Sequence, residues 1–343
     1  MFDLGKKPLL LVGGGAKGAK VRTNIPAVST WNALDVITPD LPNYAGVVGT
    51  YGGPGRNLCL AACDVLIAVG CRISGRITGG MPFAPQATKY HIDRESHPGF
   101  QFIEGDAREF LEGLGEQELD PEWVSQCKEW AKLDPVKPEH FKDFHHYGFV
   151  RRLSEALPDN AIVVYDTGGS AIMAGHCFKG KQGQTIFSSN GNSPMGFAFC
   201  GALGAWFADQ SRPVICLIGD GGFNMNLQEI QTMVNYGCSV KTFILNNHCY
   251  GNTKLYQDSN KIRQLACGPD GYNPPDFCKI ATAYGVVNHR IESWKDFGKF
   301  NWNALVQTKV PQIFDVVHHD FYQYYPRVSR WDQLLHEQDL CAS

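Results

Sequence analysis

Val214-Ile215-Cys216-Leu217-Ile218-Gly219-Asp220-Gly221-Gly222 and, further on, Phe243-Ile244-Leu245-Asn246-Asn247 are the stretches that decide how this chain folds. Each is an apolar run of strand length, and each ends in a side chain bearing an oxygen ligand, Asp220 in one and Asn247 in the other. Between them Leu227, Ile230, Met233 and Val234 recur at helical spacing, so the segment reads as strand, crossover helix, strand. Crossovers of this kind join parallel strands. Ligands of open α/β sheets bind beyond the carboxyl ends of such strands, where Asp220 and Asn247 fall. A carboxylate and an amide oxygen are hard donors, suited to Mg²⁺ rather than zinc, and Gly219, Gly221 and Gly222 let backbone N–H groups approach a phosphate closely. The pattern points to a magnesium-bound diphosphate. Gly-Asp-Gly alone is a common turn; the pairing with Asn247 is what makes it informative.

The rest of the composition excludes several classes. A chain of 343 residues with 37 glycines and 43% hydrophobic content suits two α/β domains. A net charge of -3 without a long basic run argues against a nucleic-acid partner. The apolar run before Gly13 is too short for a signal-peptide core or a membrane span. The 12 cysteines are scattered, without a Cys-x-x-Cys pair, as expected for reduced core residues of a cytoplasmic protein. Cys59 and Cys63, one helical turn apart, lack histidine neighbours and make no metal site.

The expected fold class is α/β, with two parallel-sheet, three-layer domains. Residues 1–117 form the first, with strands at Leu9–Val12, Val65–Val69 and Tyr90–Ile92 and a helix at Asn57–Cys63. Residues 118–146, charged and dotted with Pro121, Pro135 and Pro138, read as a linker packed on the surface by Trp123 and Trp130. Residues 147–330 form the second domain, with a helix through Leu153 and Leu157 and strands at Ile162–Tyr165 and Pro311–Val317. Residues 331–343 read as a surface tail.

The pairing of Asp220 with Asn247 resembles the motif of thiamine diphosphate (ThDP) enzymes, and the intervening Phe223 to Thr232 is similar to the acetolactate synthase branch. The resemblance spans nearly the whole chain and implies a central Rossmann-like domain followed by a C-terminal domain that binds the ThDP diphosphate. It implies that Asp220 and Asn247 hold Mg²⁺ through their side chains and Cys249 through its carbonyl, with Gly219, Gly221 and Gly222 against the diphosphate. Thr167, Gly168 and Gly169, after Asp166, would form a second loop of that pocket, with a plain glycine turn after a strand as the alternative. Asn192 to Phe197 resembles the loop before a long apolar helix, here Ala198 to Ala208. In it Met195 would wedge between the two rings of ThDP, and the Ser193 carbonyl would accept a hydrogen bond from its amino group. Such a bend turns the cofactor's own amine into a base beside the reactive carbon. Tyr250 and Gly251 would shape the pocket floor.

Pro8 to Gly15 resembles the opening of the family's central domain, which holds FAD in some members and a nucleotide of coenzyme A type in others. FAD-binding members carry paired aspartates where this chain has Ile73-Ser74, after Arg72, which weakens the case for FAD. Arg72 and Arg76 could meet a nucleotide phosphate or simply be solvated. Relatives also have a pyrimidine-binding domain that supplies a catalytic glutamate, and no residue here takes that role. The expectation is therefore a lyase or transferase acting on 2-oxo acids by decarboxylation and carboligation, as an oligomer with a separate pyrimidine-domain subunit. Two rivals stand beside it. One is a catalytically inactive cofactor-binding or regulatory subunit. The other is a dinucleotide-binding oxidoreductase using Gly13-Gly14-Gly15, whose fingerprint spacing fits loosely and whose acidic partner could only be Asp35.

Overall fold

Apolar runs that stop at glycine or an Asx residue become parallel strands in both halves of the chain. The computed structural model describes residues 3–51, 54–133, 136, 142–319 and 322–324. They divide into two compact units, one reaching from the N-terminal side through residue 133 and including Lys179–Gln182, the other holding the remainder through Tyr324.

In the first unit β1 (Pro8–Val12), β2 (Ala27–Ser29), β3 (Tyr44–Val47), β4 (Val65–Val69), β5 (Thr88–Asp93) and β6 (Gln101–Glu104) form one six-stranded sheet. Its order is β3-β2-β1-β4-β5-β6 and every pair is parallel. The central β1 and β4 are buried along their whole length, which is why they read as unbroken apolar runs rather than alternating ones. Alternation survives in where the side chains go: Leu9, Leu11, Leu66 and Ala68 enter one core layer, and Leu10, Val12, Ile67 and Val69 the other.

The expected linker is structured over part of its length. Pro121–Ala131 is a helix, started by the Asp120 carboxylate, which accepts from the Glu122 N–H at 2.9 Å, with Pro121 in the first turn. Trp123 is 3% exposed and donates its indole N–H to the Pro8 carbonyl at 2.8 Å. With Cys127 it belongs to the layer of Leu9 and Leu11, so it is a core residue and not a surface staple. Trp130 meets it edge-on, ring centroids 6.2 Å apart. Pro135, Pro138 and the tail 331–343 lie outside the described residues.

In the second unit a helix at His146–Ala156 leads into β7 (Ile162–Tyr165), followed by β8 (Thr185–Phe187), β9 (Val214–Gly219), β10 (Lys241–Asn246), β11 (Val287–Ile291) and β12 (Gln312–Val317). The order is β11-β12-β10-β9-β7-β8, again parallel throughout. Tyr165 lies opposite Leu217 and Leu245 opposite Gly219, so β7, β9 and β10 end at nearly the same level. From β7 the chain steps outward to β8 and then returns to the other side as β9. The crevice between β7 and β9 is thus the switch point at which α/β sheets bind ligands.

The crossover from β9 to β10 is more broken than the single helix expected from Leu227 to Val234. It consists of helix Asp220–Met225, a 3₁₀ turn at Leu227–Glu229 and helix Ile230–Tyr236, closed by Gly237 at φ 63°. Ile230 and Met233 are buried, whereas Val234 is exposed. Behind the sheet Phe223 packs edge-on against Phe199 and Phe277, with centroids 5.0 and 5.5 Å apart. Burying each such ring contributes roughly 1.5–3 kcal/mol, which anchors the helix that starts at Asp220. Among the described residues no helix is long and apolar enough to cross a membrane.

Candidate active site

Three loops leave the carboxyl ends of β7, β9 and β10 and enclose a cavity of about 250 Å³. Asp166, Thr167, Gly168 and Gly169 line it from β7; Gly219, Asp220, Gly221 and Gly222 from β9; Asn247, Cys249, Tyr250 and Gly251 from β10. Ser193 and Met195 reach it from the loop before helix Phe197–Ala208. Every residue singled out for the site in the sequence therefore meets at one place.

Asp220 is 2% exposed. Its Oδ1 accepts from the Gly221 N–H at 2.8 Å, while Oδ2 is buried with no hydrogen-bond partner among the described residues. Burial raises its pKa from 3.8 to about 7, against the opposing pull of that N–H, of the Tyr272 hydroxyl and of the His248 N–H. A buried carboxylate oxygen without a partner is costly unless a cation or donor meets it. Asn247 is also buried, and its Oδ1 accepts a long, 3.4 Å contact from the Cys249 N–H. Asn246, its neighbour, points the other way and donates to Asp315 at 2.9 Å inside the sheet. Alternation along β10 thus divides the Asn-Asn pair into one structural and one cavity-facing residue. His248, between Asn247 and Cys249, takes φ 55° and turns the chain sharply. The Cys249 thiol itself is buried, so what it can offer a ligand is its backbone.

Close packing explains the glycines. A Cβ on Gly221 would collide with the Tyr250 ring, and one on Gly222 with the Asp166 carboxylate. Gly196 takes φ 86°, and a Cβ there would lie 2.6 Å from the Asn226 amide nitrogen. The Asn226 amide in turn donates to the Gly196 carbonyl at 3.1 Å.

Asp166 has a role that sequence reasoning missed. Its two oxygens accept from the N–H groups of Gly196 at 3.0 Å and Ala198 at 3.1 Å, tying the Met195 loop to the end of β7. Burial pushes its pKa up, and those N–H groups pull it back. Ser193 is held at φ 50° by its own N–H to the Ser189 carbonyl, 2.7 Å, and its hydroxyl to Asn190, 3.1 Å. Met195 is 38% exposed, and its methyl lies 3.2 Å from where a Cβ on Gly221 would be. Also missed were Ser170, Met173, His146 and Tyr324, which line the same cavity, and Tyr272, whose ring packs on Tyr250 with centroids 4.1 Å apart. Burial and the Asp220 charge push the Tyr272 hydroxyl far up. No local motif marks these residues, because tertiary packing alone brings them in.

The glycine turn of the first unit is arranged differently. The N–H of Gly13 donates to Val69, that of Gly15 to Gly70 and that of Ala16 to Gly13. The turn opens only a three-residue 3₁₀ element, Gly14–Ala16. These amides are spent on the chain itself, leaving no helix N-terminus to cradle a dinucleotide phosphate. Asp35 is paired with Lys17 at 2.5 Å instead of facing a ribose. Arg72 and Arg76 are exposed. Cys59 and Cys63 are buried thiols whose pKa burial pushes up, and among the described residues no group of three or more His, Cys, Asp or Glu side chains is arranged to hold a metal.

Comparison with known proteins gives the same two-part division. Residues 1–114 match the description "Thiamine pyrophosphate enzyme, central domain", and residues 166–316 match "Thiamine pyrophosphate enzyme, C-terminal TPP binding domain". Similar curated proteins include the acetolactate synthase isozyme 2 large subunit of Escherichia coli K12, 28% identical over 92% of this chain and 60% of that protein. The acetolactate synthase large subunit of Cyanidium caldarium is 28% identical over 91% of this chain and 57% of its own length. That of Haemophilus influenzae is 30% identical over 83% and 54%. The chain spans between about half and three-fifths of the length of these relatives.

Proposed function

Since the chain belongs to the thiamine pyrophosphate enzymes, we propose that the cavity of the second unit binds ThDP through a Mg²⁺ ion and serves decarboxylation and carboligation of 2-oxo acids. The observation that carries this reading is the buried Oδ2 of Asp220, which no backbone N–H meets at hydrogen-bond distance among the described residues, at the floor of a glycine-lined cavity. Asp220 Oδ2, Asn247 Oδ1 and the Cys249 carbonyl would hold the ion; all three are hard oxygen donors, the set that Mg²⁺ prefers. A divalent charge there also offsets the cost of an ionised Asp220. Gly221 and Gly222 bring the backbone close to the diphosphate, and Thr167, Gly168 and Gly169 face it from the β7 side.

When bound, ThDP supplies an electron sink that makes loss of CO₂ from a 2-oxo acid feasible. What this chain contributes is orientation. Met195, braced over Gly221, would support the space between the cofactor's rings, and the Ser193 carbonyl would accept from its amino group. The Asp166 carboxylate holds that loop in place through Gly196 and Ala198. The exposed Met225 (47%) is an apolar side chain suited to a further protein surface. We assign that surface to a pyrimidine-binding domain, which would bring the catalytic glutamate. The printed names of the relatives, large subunits, fit an assembly of more than one kind of subunit. An inactive cofactor-binding or regulatory subunit is the second reading, favoured by the absence of a glutamate among the described cavity-lining residues. FAD and a dinucleotide oxidoreductase are disfavoured by the spent amides at Gly13 and Gly15.

Calorimetric titration of ThDP tests the reading. Binding should require Mg²⁺ and be lost in EDTA and in Asn247→Ala. Equal affinity in all three would remove the metal assignment.

A further inference from the structure

The first unit holds a cavity of its own, of about 510 Å³, at the end of its sheet opposite the Gly13 turn. Asn24 and Asn43, which line it, come just before β2 and β3, and every strand of this sheet is parallel. The cavity therefore lies at the amino ends of the strands. Nucleotides bind such sheets beyond the carboxyl ends, so this is a different place. Its other wall is helix Pro121–Ala131, whose Val124, Ser125 and Lys128 share one face at helical spacing. The volume suits a small-molecule ligand.

The fold holds both walls in place. The Asn24 amide donates to the Gln117 carbonyl at 2.9 Å, and its Oδ1 accepts from the Gln117 N–H at 2.8 Å. The Asn43 carbonyl accepts from the Ala27 N–H at 2.8 Å. On its far side the helix is fixed by Trp123 and Cys127 in the core. A ligand entering here has little of the protein left to order.

Asn43 sets the chemistry. It is 5% exposed, and its side-chain N–H donates to the Ile25 carbonyl at 2.8 Å. That bond fixes which end of the amide is which. It leaves Oδ1 buried without a hydrogen-bond partner among the described residues, an acceptor that calls for an O–H or N–H. Lys128 supplies the one charge among the described lining residues, and Ser125 a hydroxyl. A ligand that meets this set brings a donor to Asn43 and an anionic group to Lys128. An ammonium donor would find no carboxylate among those residues to neutralise it, whereas a hydroxyl needs none. A purely apolar ligand would leave Asn43 Oδ1 unmet.

We propose that this cavity is a binding site for a small hydroxylated carboxylate of the sugar-acid class, with a ligand hydroxyl donating to Asn43 Oδ1 and the carboxylate accepting from the Lys128 ammonium and the Ser125 hydroxyl. No carboxylate, imidazole or thiol is among the described lining residues, so the site serves binding and not chemistry. All of its residues belong to the first unit, and it stands independently of the ThDP reading.

The test is two-dimensional NMR of the full chain titrated separately with D-gluconate, with sorbitol, which has hydroxyls and no charge, and with hexanoate, which has the charge and no hydroxyl. Gluconate should move the Asn43 side-chain amide and the Ser125 N–H saturably and should bind several-fold tighter than the other two. The scale of an exposed ion pair makes the expected loss of gluconate affinity in Lys128→Gln about twofold to fivefold, with sorbitol unchanged. Ser125→Trp should block the cavity to all three ligands. Both side chains are exposed, so neither change touches the core. Equal affinity for the three ligands, an unmoved Asn43 amide, or gluconate binding that both variants leave unchanged would overturn the proposal. Shifts at Gly219, Gly221 and Gly222 in place of Asn43 would put gluconate in the cavity of the second unit and overturn it as well, leaving the ThDP reading untouched.

Discussion

Replacing Asp220 by asparagine should stabilise the metal-free protein while abolishing what the site is for. Folding raises the Asp220 pKa from 3.8 to about 7, mainly by burial. A group raised in this way favours folding fully below its unfolded value, and that advantage is lost as pH rises through about 7. At pH 8 the buried carboxylate is therefore a liability of about 4 kcal/mol at most, taking about 1.4 kcal/mol per pH unit; relaxation and water entry bring it nearer to about 2 kcal/mol. Asparagine keeps an oxygen for the Gly221 N–H and carries no charge to bury. At about 2–4 °C per kcal/mol for a unit of this size, Asp220→Asn should melt about 4–15 °C above the unaltered chain at pH 8 in EDTA. The two should converge near pH 4. With Mg²⁺ and ThDP at pH 8 the order should reverse, because only the unaltered chain gains binding energy. Scanning calorimetry at the two pH values, with and without Mg²⁺ and ThDP, reads all of this. A variant that melts lower than the unaltered chain in EDTA at pH 8 would refute the reasoning, since Asp220 would then be stabilised by the fold itself.

Gly222→Ala should push the Asp166 carboxylate off the Gly196 and Ala198 N–H groups, destabilising by about 2–4 kcal/mol as two charge-assisted bonds are strained. Thermal melting and hydrogen exchange at Gly196 and Ala198 check it, and unchanged exchange would mean that the tether is not made. In the first unit, Trp123→Phe leaves the Pro8 carbonyl without its 2.8 Å partner and should cost about 1–3 kcal/mol, read as an earlier melting transition; a neutral result would put Trp123 back at the surface.

How much of this was legible in the sequence depended on how local the signal was. Ile162–Tyr165 and Val65–Val69 were read with the bounds the structure has, because a fully buried parallel strand is an unbroken apolar run with clear stops. Asp220 and Asn247 were legible for the same reason, as the residues at two such stops. Helix Pro121–Ala131 reads as linker in the sequence because proline and charge are usual breakers of structure. The Asp120-Pro121 start, an N-cap followed by a first-turn proline, was a signal present in the sequence that points the other way. Strands of three or four residues such as Ala27–Ser29 carry too few positions for any period to show. Asp166 was placed at the pocket, but not its grip on Gly196 and Ala198, 30 and 32 residues away. Ser170, Tyr272 and Tyr324 could not be found from spacing, because only the folded path of the chain brings them to the cavity.

The central claim is that Asp220 and Asn247 jointly hold a hard divalent ion against a diphosphate. A crystal structure grown with ThDP and Mn²⁺ in place of Mg²⁺ tests it most directly, since the anomalous signal of manganese locates the ion. The account predicts one peak within about 2.0–2.3 Å of Asp220 Oδ2, Asn247 Oδ1 and the Cys249 carbonyl, with diphosphate oxygens completing the shell. A bound cofactor with no peak there, or a peak whose ligands exclude Asp220, would contradict it.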